Sequence, residues 1–196
     1  MTEHRYFILY KPVDMVSQFK STHNVRLLGD INFDFPEGTH AIGRLDKDSE
    51  GLLLLTTDKR VTRLLFQGKE PHKRTYLVQV KNVMSAETAE RLANGIEISA
   101  TQGGNYLTTP CSVKLIEKPS FVTDPTIPLH EKVKNSWVCI TLTEGKFHQV
   151  RKMVREVGHP CVRLIRVSIE SLHIQQMHPG EVVELTRNEF FEKLKL

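Results

Sequence analysis

The sequence predicts an α+β protein, a mixed and largely antiparallel sheet flanked by helices. Three observations predict it. Apolar runs of strand length and amphipathic stretches of helix length are intermixed along the 196 residues, without the regular strand–helix–strand repeat of a parallel fold. Several runs alternate with period two, the mark of strands with one buried face. One, Leu52 to Leu55, is continuously apolar between Gly51 and Thr56-Thr57-Asp58, which suits a strand buried on both faces.

Tyr6 to Tyr10 (YFILY) reads as the first strand, stopped by Lys11-Pro12 because proline cannot donate to a ladder. Asp14 to His40 has little periodicity and carries Gly29, Pro36 and Gly38, so it reads as loop with one short helix near Val25 to Leu28. After the buried strand, Asp58 is a candidate N-cap for a helix with Val61, Leu64 and Leu65 on one face. Thr75 to Val80 alternates, with Tyr76, Val78 and Val80 on one side. Ser85 caps a second helix, SAETAERLAN, which Gly95 ends. Strands follow near Ile96 to Ser99 and Ser112 to Glu117, joined by a Gly103-Gly104 turn. Lys118 to Asn135 contains Pro119, Pro125 and Pro128 and has no period, so it is a loop or an insertion over a functional face. Trp137 to Thr143 is a strand with Val138, Ile140 and Leu142 inward. His148 to Val157 is the clearest helix: Val150, Met153, Val154 and Val157 share one face, and His148, Arg151, Lys152 and Arg155 lie opposite. Gly158 and Pro160 stop it, and a strand pair from Cys161 onward and at Glu181 to Thr186 closes the fold.

A hydrophobic fraction of 39% and a charged fraction of 26% are those of a soluble globular protein. No stretch approaches the roughly 20 apolar residues of a membrane span, and the N-terminus lacks the flanks of a signal peptide. Cys111, Cys139 and Cys161 are odd in number and far apart, fitting neither a disulfide framework nor a zinc pattern. A cytoplasmic location is expected. With no apolar stripe left over, so is a monomer. The net charge is +4, and Thr143 to Arg166 carries six basic residues against two glutamates, a surplus equal to the whole net charge. Such a local basic patch is the footprint of nucleic-acid binding.

The densest polar cluster is the loop before the buried strand. Arg44, Asp46, Lys47, Asp48 and Glu50 lie between Gly43 and Gly51. A charged loop delivered by a buried strand is a common place for chemistry. It is no calcium loop, since Thr57 stands at the twelfth position where a bidentate Glu is required. A phosphotransferase of the Asp-x-Asp type wants its buried strand before the first Asp, and here the strand comes after. No His-Glu-x-x-His stretch, paired cysteine ligands or phosphate-binding glycine loop is present. The plain alternative is a solvated turn in which Arg44 and Asp46 pair. Against it stand the basic helix and Tyr76, which follows Lys73-Arg74 and sets an aromatic beside cations as base stacking requires.

With these residues assembled, the chain resembles the RNA pseudouridine synthases of the small-subunit type. GRLDKDSEGLLLLT (Gly43 to Thr56) resembles that family's signature, KRTYLVQV (Lys73 to Val80) its second motif and EGKFHQVRKMVREVGHPCVRLIRVSI (Glu144 to Ile169) its third. YKPVDMVSQF and NSWVCITLTEGK are most similar to the branch acting on large-subunit ribosomal RNA without an N-terminal RNA-binding domain. The resemblance implies one catalytic domain over residues 1–196, with two subdomains around a central RNA-binding cleft. It implies that Asp46 is the catalytic aspartate and that Tyr76 stacks on the target base, with Leu164 packing beside it. Arg151, with Lys146 as its rival, would pair with Asp46. Arg44, Lys47, Lys73, Lys146, Lys152, Arg155, Arg163 and Arg166 would face RNA. The implied reaction isomerises uridine to pseudouridine in ribosomal RNA, expected to be that of the large subunit, and needs neither cofactor nor metal. Asp14 and Glu170 stand where the family usually has glycine. The competing reading is a non-catalytic ribosome assembly factor using the same basic face, which would need no aspartate at position 46.

Overall fold

The structure, a computed structural model, describes residues 3–68, 70–101, 103–124, 130 and 133–196. Its strands are β1 (Tyr6–Lys11), β2 (His40–Ile42), β3 (Glu50–Thr56), β4 (Arg74–Lys81), β5 (Glu97–Ser99), β6 (Asn105–Leu107), β7 (Ser112–Ile116), β8 (Asn135–Leu142), β9 (Cys161–Ile169), β10 (Leu172–His173) and β11 (Val182–Leu185). Its helices are α1 (Arg60–Gln67), α2 (Ala86–Ala93), α3 (Gln149–Glu156) and α4 (Arg187–Leu194). The predicted mixed, largely antiparallel α+β fold is what these elements build. They divide into two compact units, Met1–His72 with Ile165–Leu196, and Lys73–Leu164.

In the first unit the strand order is β11-β1-β3-β9, with β2 paired to β3 and β10 to β9. β1 is antiparallel to both of its neighbours, whereas β3 runs parallel to β9 at Glu50↔Ile165 and Gly51↔Arg166. Every residue of β3 is buried, as its four consecutive leucines predict. One face of β1 and β3 packs Phe7, Leu9, Leu53 and Leu55 against Met15, Leu28 and Ile31. Phe33 and Phe35 close it with edge-on contacts to Phe7. The aperiodic segment before β2 is therefore a source of core aromatics. Its regular part is a 3-10 turn at Leu28–Asp30, slightly after the expected helix. On the other face of β1, Tyr6 meets Phe190 of α4 at 5.0 Å.

In the second unit the order is β9-β4-β8-β7. β4 and β8 pair antiparallel from Arg74↔Leu142 to Lys81↔Asn135. Helices α2 and α3 bury Leu92, Val150, Met153 and Val154 with Val78, Val80, Val138 and Ile140. The Gly103-Gly104 turn joins β5 to β6 in a separate two-stranded sheet, not β5 to β7 as expected. Both glycines have left-handed φ, +90° and +77°.

Two further expectations change. Leu64 is 41% exposed, so the buried stripe of α1 is Val61 and Leu65. Asp58 sits one residue ahead of the N-cap position, Lys59, yet its Oδ1 still accepts the Arg60 N–H at 3.1 Å. The buried carboxylate also takes the Arg60 guanidinium at 2.7 Å and 2.8 Å, and those bonds hold it well below the usual carboxylate range. Residues 125–129, 131 and 132 of the proline-rich stretch lie outside the described residues. No described helix is long and apolar enough to cross a membrane.

Candidate active site

The charged loop of the first unit is braced from four sides. Gly43, at φ +70°, lies under the ring of Phe66; an added Cβ would stand 2.8 Å from that ring. Leu45 is clamped by buried Ser17, whose hydroxyl donates to the Leu45 carbonyl at 2.8 Å and accepts the Leu45 N–H at 2.9 Å. The Ser49 N–H donates to the Asp46 carbonyl at 3.0 Å, closing a turn with Asp46 at its start. Lys47 bridges to Asp14 at 3.0 Å. Asp46 itself is half-buried, and Arg44 is exposed.

Glu50 and Gly51, which read as loop, open β3 instead. A Cβ on Gly51 would fall 2.3 Å from the Arg166 carbonyl, and φ is +104°. Glycine is what lets β3 and β9 come together here. Arg166 is 5% exposed and donates Nε to the Leu52 carbonyl at 2.8 Å.

Lys11 is the residue that sequence reasoning missed, because Lys11-Pro12 read only as a strand stop. Its side chain is fully buried, and Nζ donates to the carbonyls of Pro12 at 2.8 Å and Met15 at 2.6 Å. Burial pushes this ammonium down to about 8, while the nearby carboxylates of Glu50, Asp48 and Asp46 draw it back up. The available signal was a charge embedded in a strand otherwise made of core residues.

In the second unit, Tyr76 is half-buried on β4 and packs against the core that includes Leu164. Arg151 is half-buried on α3, and its NH1 donates to Cys161 Sγ at 3.5 Å. Lys73 and Arg155 are exposed. Lys146 is exposed and lies over the Tyr106 ring, Nζ to centroid 4.6 Å. Half-buried Lys152 donates to the Ser99 carbonyl at 2.7 Å. Arg74, which the sequence sets as a cation beside Tyr76, donates to the Thr143 carbonyl at 2.8 Å and its guanidinium fits against Gly145. Arg163 was expected to face RNA with Arg166, but it is 8% exposed and donates to the Thr123 carbonyl at 2.6 Å. Burial against backbone carbonyls makes both arginines structural donors, with little surface for a phosphate. Among the described residues, no group of three or more His, Cys, Asp or Glu side chains could hold a metal ion.

Residues 5–156 match the model of a family described as RNA pseudouridylate synthase. The chain is 34% identical to ribosomal large subunit pseudouridine synthase E of Vibrio vulnificus over 187 residues, 95% of this chain and 77% of that one. It is 31% identical to ribosomal large subunit pseudouridine synthase B of Bacillus subtilis over 184 residues, 94% and 69% of the two chains. A crystal structure of pseudouridylate synthase aligns with a TM-score of 0.75 and 28% identity, over 99% of this chain and 75% of that chain.

Proposed function

We propose that this chain, which belongs to the RNA pseudouridylate synthase family, isomerises uridine to pseudouridine in large-subunit ribosomal RNA with Asp46 as the reacting carboxylate. One observation carries the assignment: Asp46 begins a turn closed by the Ser49 N–H, next to Leu45 clamped by Ser17 and Lys47 bridged to Asp14, directly before a wholly buried strand. A loop backbone so held meets the need to present its aspartate from a fixed position. The large subunit is chosen because the two bacterial relatives are named for it.

The reaction breaks the bond from the sugar C1′ to uracil N1 and makes one from C1′ to C5. The proton lost from C5 is balanced by one gained at N1, so nothing is oxidised and no group is released. Asp46 acts as nucleophile or as the base that takes a sugar proton; both roles require its ionised form. Tyr76 supplies a stacking face for the target base, backed by the core that contains Leu164. Arg151 is the cation that the family resemblance would pair with Asp46. Arg44, Lys47, Lys73, Lys146, Lys152 and Arg155 face phosphates, offsetting the few kcal/mol of extruding a base. A cytoplasmic monomer belongs to the same reading.

The test is complementation of cells lacking the protein, with pseudouridine mapped on their ribosomal RNA. Wild type restores one modified site and Asp46→Asn does not, while the variant's affinity for that RNA stays within about threefold, because the binding cations are untouched. Loss of affinity together with activity would make Asp46 structural. Restoration by the variant would favour the assembly-factor reading.

A further inference from the structure

The loop that leads into α3 turns a phenylalanine out to solvent and then locks it there. Phe147 is 56% exposed, a large apolar face on the most basic stretch of the chain. Its ring stacks on His148 at 3.9 Å between centroids and 18° between planes. His148 holds the left-handed conformation, φ +53°, a strained one for a residue other than glycine. The surrounding contacts over-determine that geometry. Glu144 accepts hydrogen bonds from the Tyr106 hydroxyl at 2.5 Å, the Thr109 N–H at 3.0 Å and Gln149 Nε2 at 2.5 Å. Gln149, itself buried, accepts the Lys146 N–H at 2.9 Å. The backbone on both sides of Phe147 is therefore pinned, and its ring, stacked on His148, presents a two-ring face to solvent. One cation lies beside it, Lys152 Nζ 5.6 Å from its centroid, and the neighbouring Lys146 and, farther along the same stretch, Arg155 are exposed.

An exposed aromatic face set among phosphate-seeking cations matches a single-stranded nucleobase, which presents a π-face with a phosphate on either side. We propose that Phe147, backed by His148, is a stacking platform for an unpaired base of the RNA substrate other than the reacting uridine. The inference rests on the RNA-modifying reading above and adds a specificity-determining contact to it. A base adjacent to the target is left unstacked when that uridine is extruded, and Phe147 offers it a replacement partner.

The probe is a synthetic stem–loop carrying the mapped target uridine, with its loop nucleotides replaced one at a time by an abasic sugar. Affinity for the full chain is read by fluorescence anisotropy, and pseudouridine formation is measured on the same RNAs. Phe147→Ala is expected to weaken binding roughly tenfold or more, and Phe147→Trp to stay within about threefold of wild type. One abasic position should weaken wild type by a similar factor and leave Phe147→Ala unaffected, the non-additivity of two groups that touch. Equal affinity of Phe147→Ala and wild type, or a loss that simply adds to every abasic loss, would overturn the platform and leave Phe147 to a protein partner. If wild type forms no pseudouridine, the assigned reaction fails and the platform with it; formation with unchanged Phe147→Ala affinity sinks the platform alone.

Discussion

Asp14 and Glu170 hold left-handed backbone, φ +59° and +47°, at the two positions where the family resemblance leads one to expect glycine. The chain has kept the turn and changed the residue, and each replacement is compensated by an ion pair. Asp14 meets Lys47 at 3.0 Å with both side chains more than half exposed, and such a pair contributes about 0–1 kcal/mol. Glu170 has a side chain only 5% exposed, which bonds Lys195 at 2.7 Å and faces His72 at 3.7 Å. The same substitution should therefore have different results. Asp14→Gly exchanges a weak exposed pair for relief of strain and should move stability by no more than about 0.5 kcal/mol. Glu170→Gly gains the same relief but removes a buried acceptor, and should cost at least about 1 kcal/mol. Urea midpoints of the two variants check this, and equal losses would refute the role given to burial.

At the scale of elements, β3 shows what periodicity can and cannot reveal. LLLL announced a doubly buried strand, and the structure extends it to Glu50–Thr56. That Glu50 and Gly51 belong to the strand was not legible, because their place depends on Arg166, 115 positions away in β9, and no local pattern carries that pairing. Gly51→Ala would drive a methyl group into backbone that cannot rotate away. We expect a loss of more than about 3 kcal/mol, read as a fall in the urea midpoint or as insoluble expression. The helix α4 was overlooked for a different reason. Thr186 and Glu189 form a capping box, a local signal of a helix start, but only Phe190 and Leu194 are buried, too few for an apolar stripe to stand out. For Lys11, the hidden cation beside the loop, the sequence signals burial by setting a charge in a core strand, but not its partners, which are backbone carbonyls.

Across the whole molecule, the surplus of charge in one stretch was readable, but which of its cations reach solvent was not. Composition treats Arg155 and Arg163 alike; the fold exposes the first and buries the second. Removing the exposed Lys73 or Arg155 as glutamine variants should flatten the slope of log affinity against log salt by up to about 0.7 each on single-stranded RNA. The same change at buried Arg163 should leave the slope alone and lower the melting temperature instead. Salt titrations of the three variants distinguish the two classes. The first unit is also discontinuous in sequence: β1 sits between β3 and β11, and Tyr6 rests on Phe190. During synthesis the opening strand must therefore wait, one edge unpaired, while Lys73–Leu164 passes and folds around its own core. The ribosome that makes this chain thus holds the Asp46 loop in an unfinished sheet until nearly the last residue described is joined.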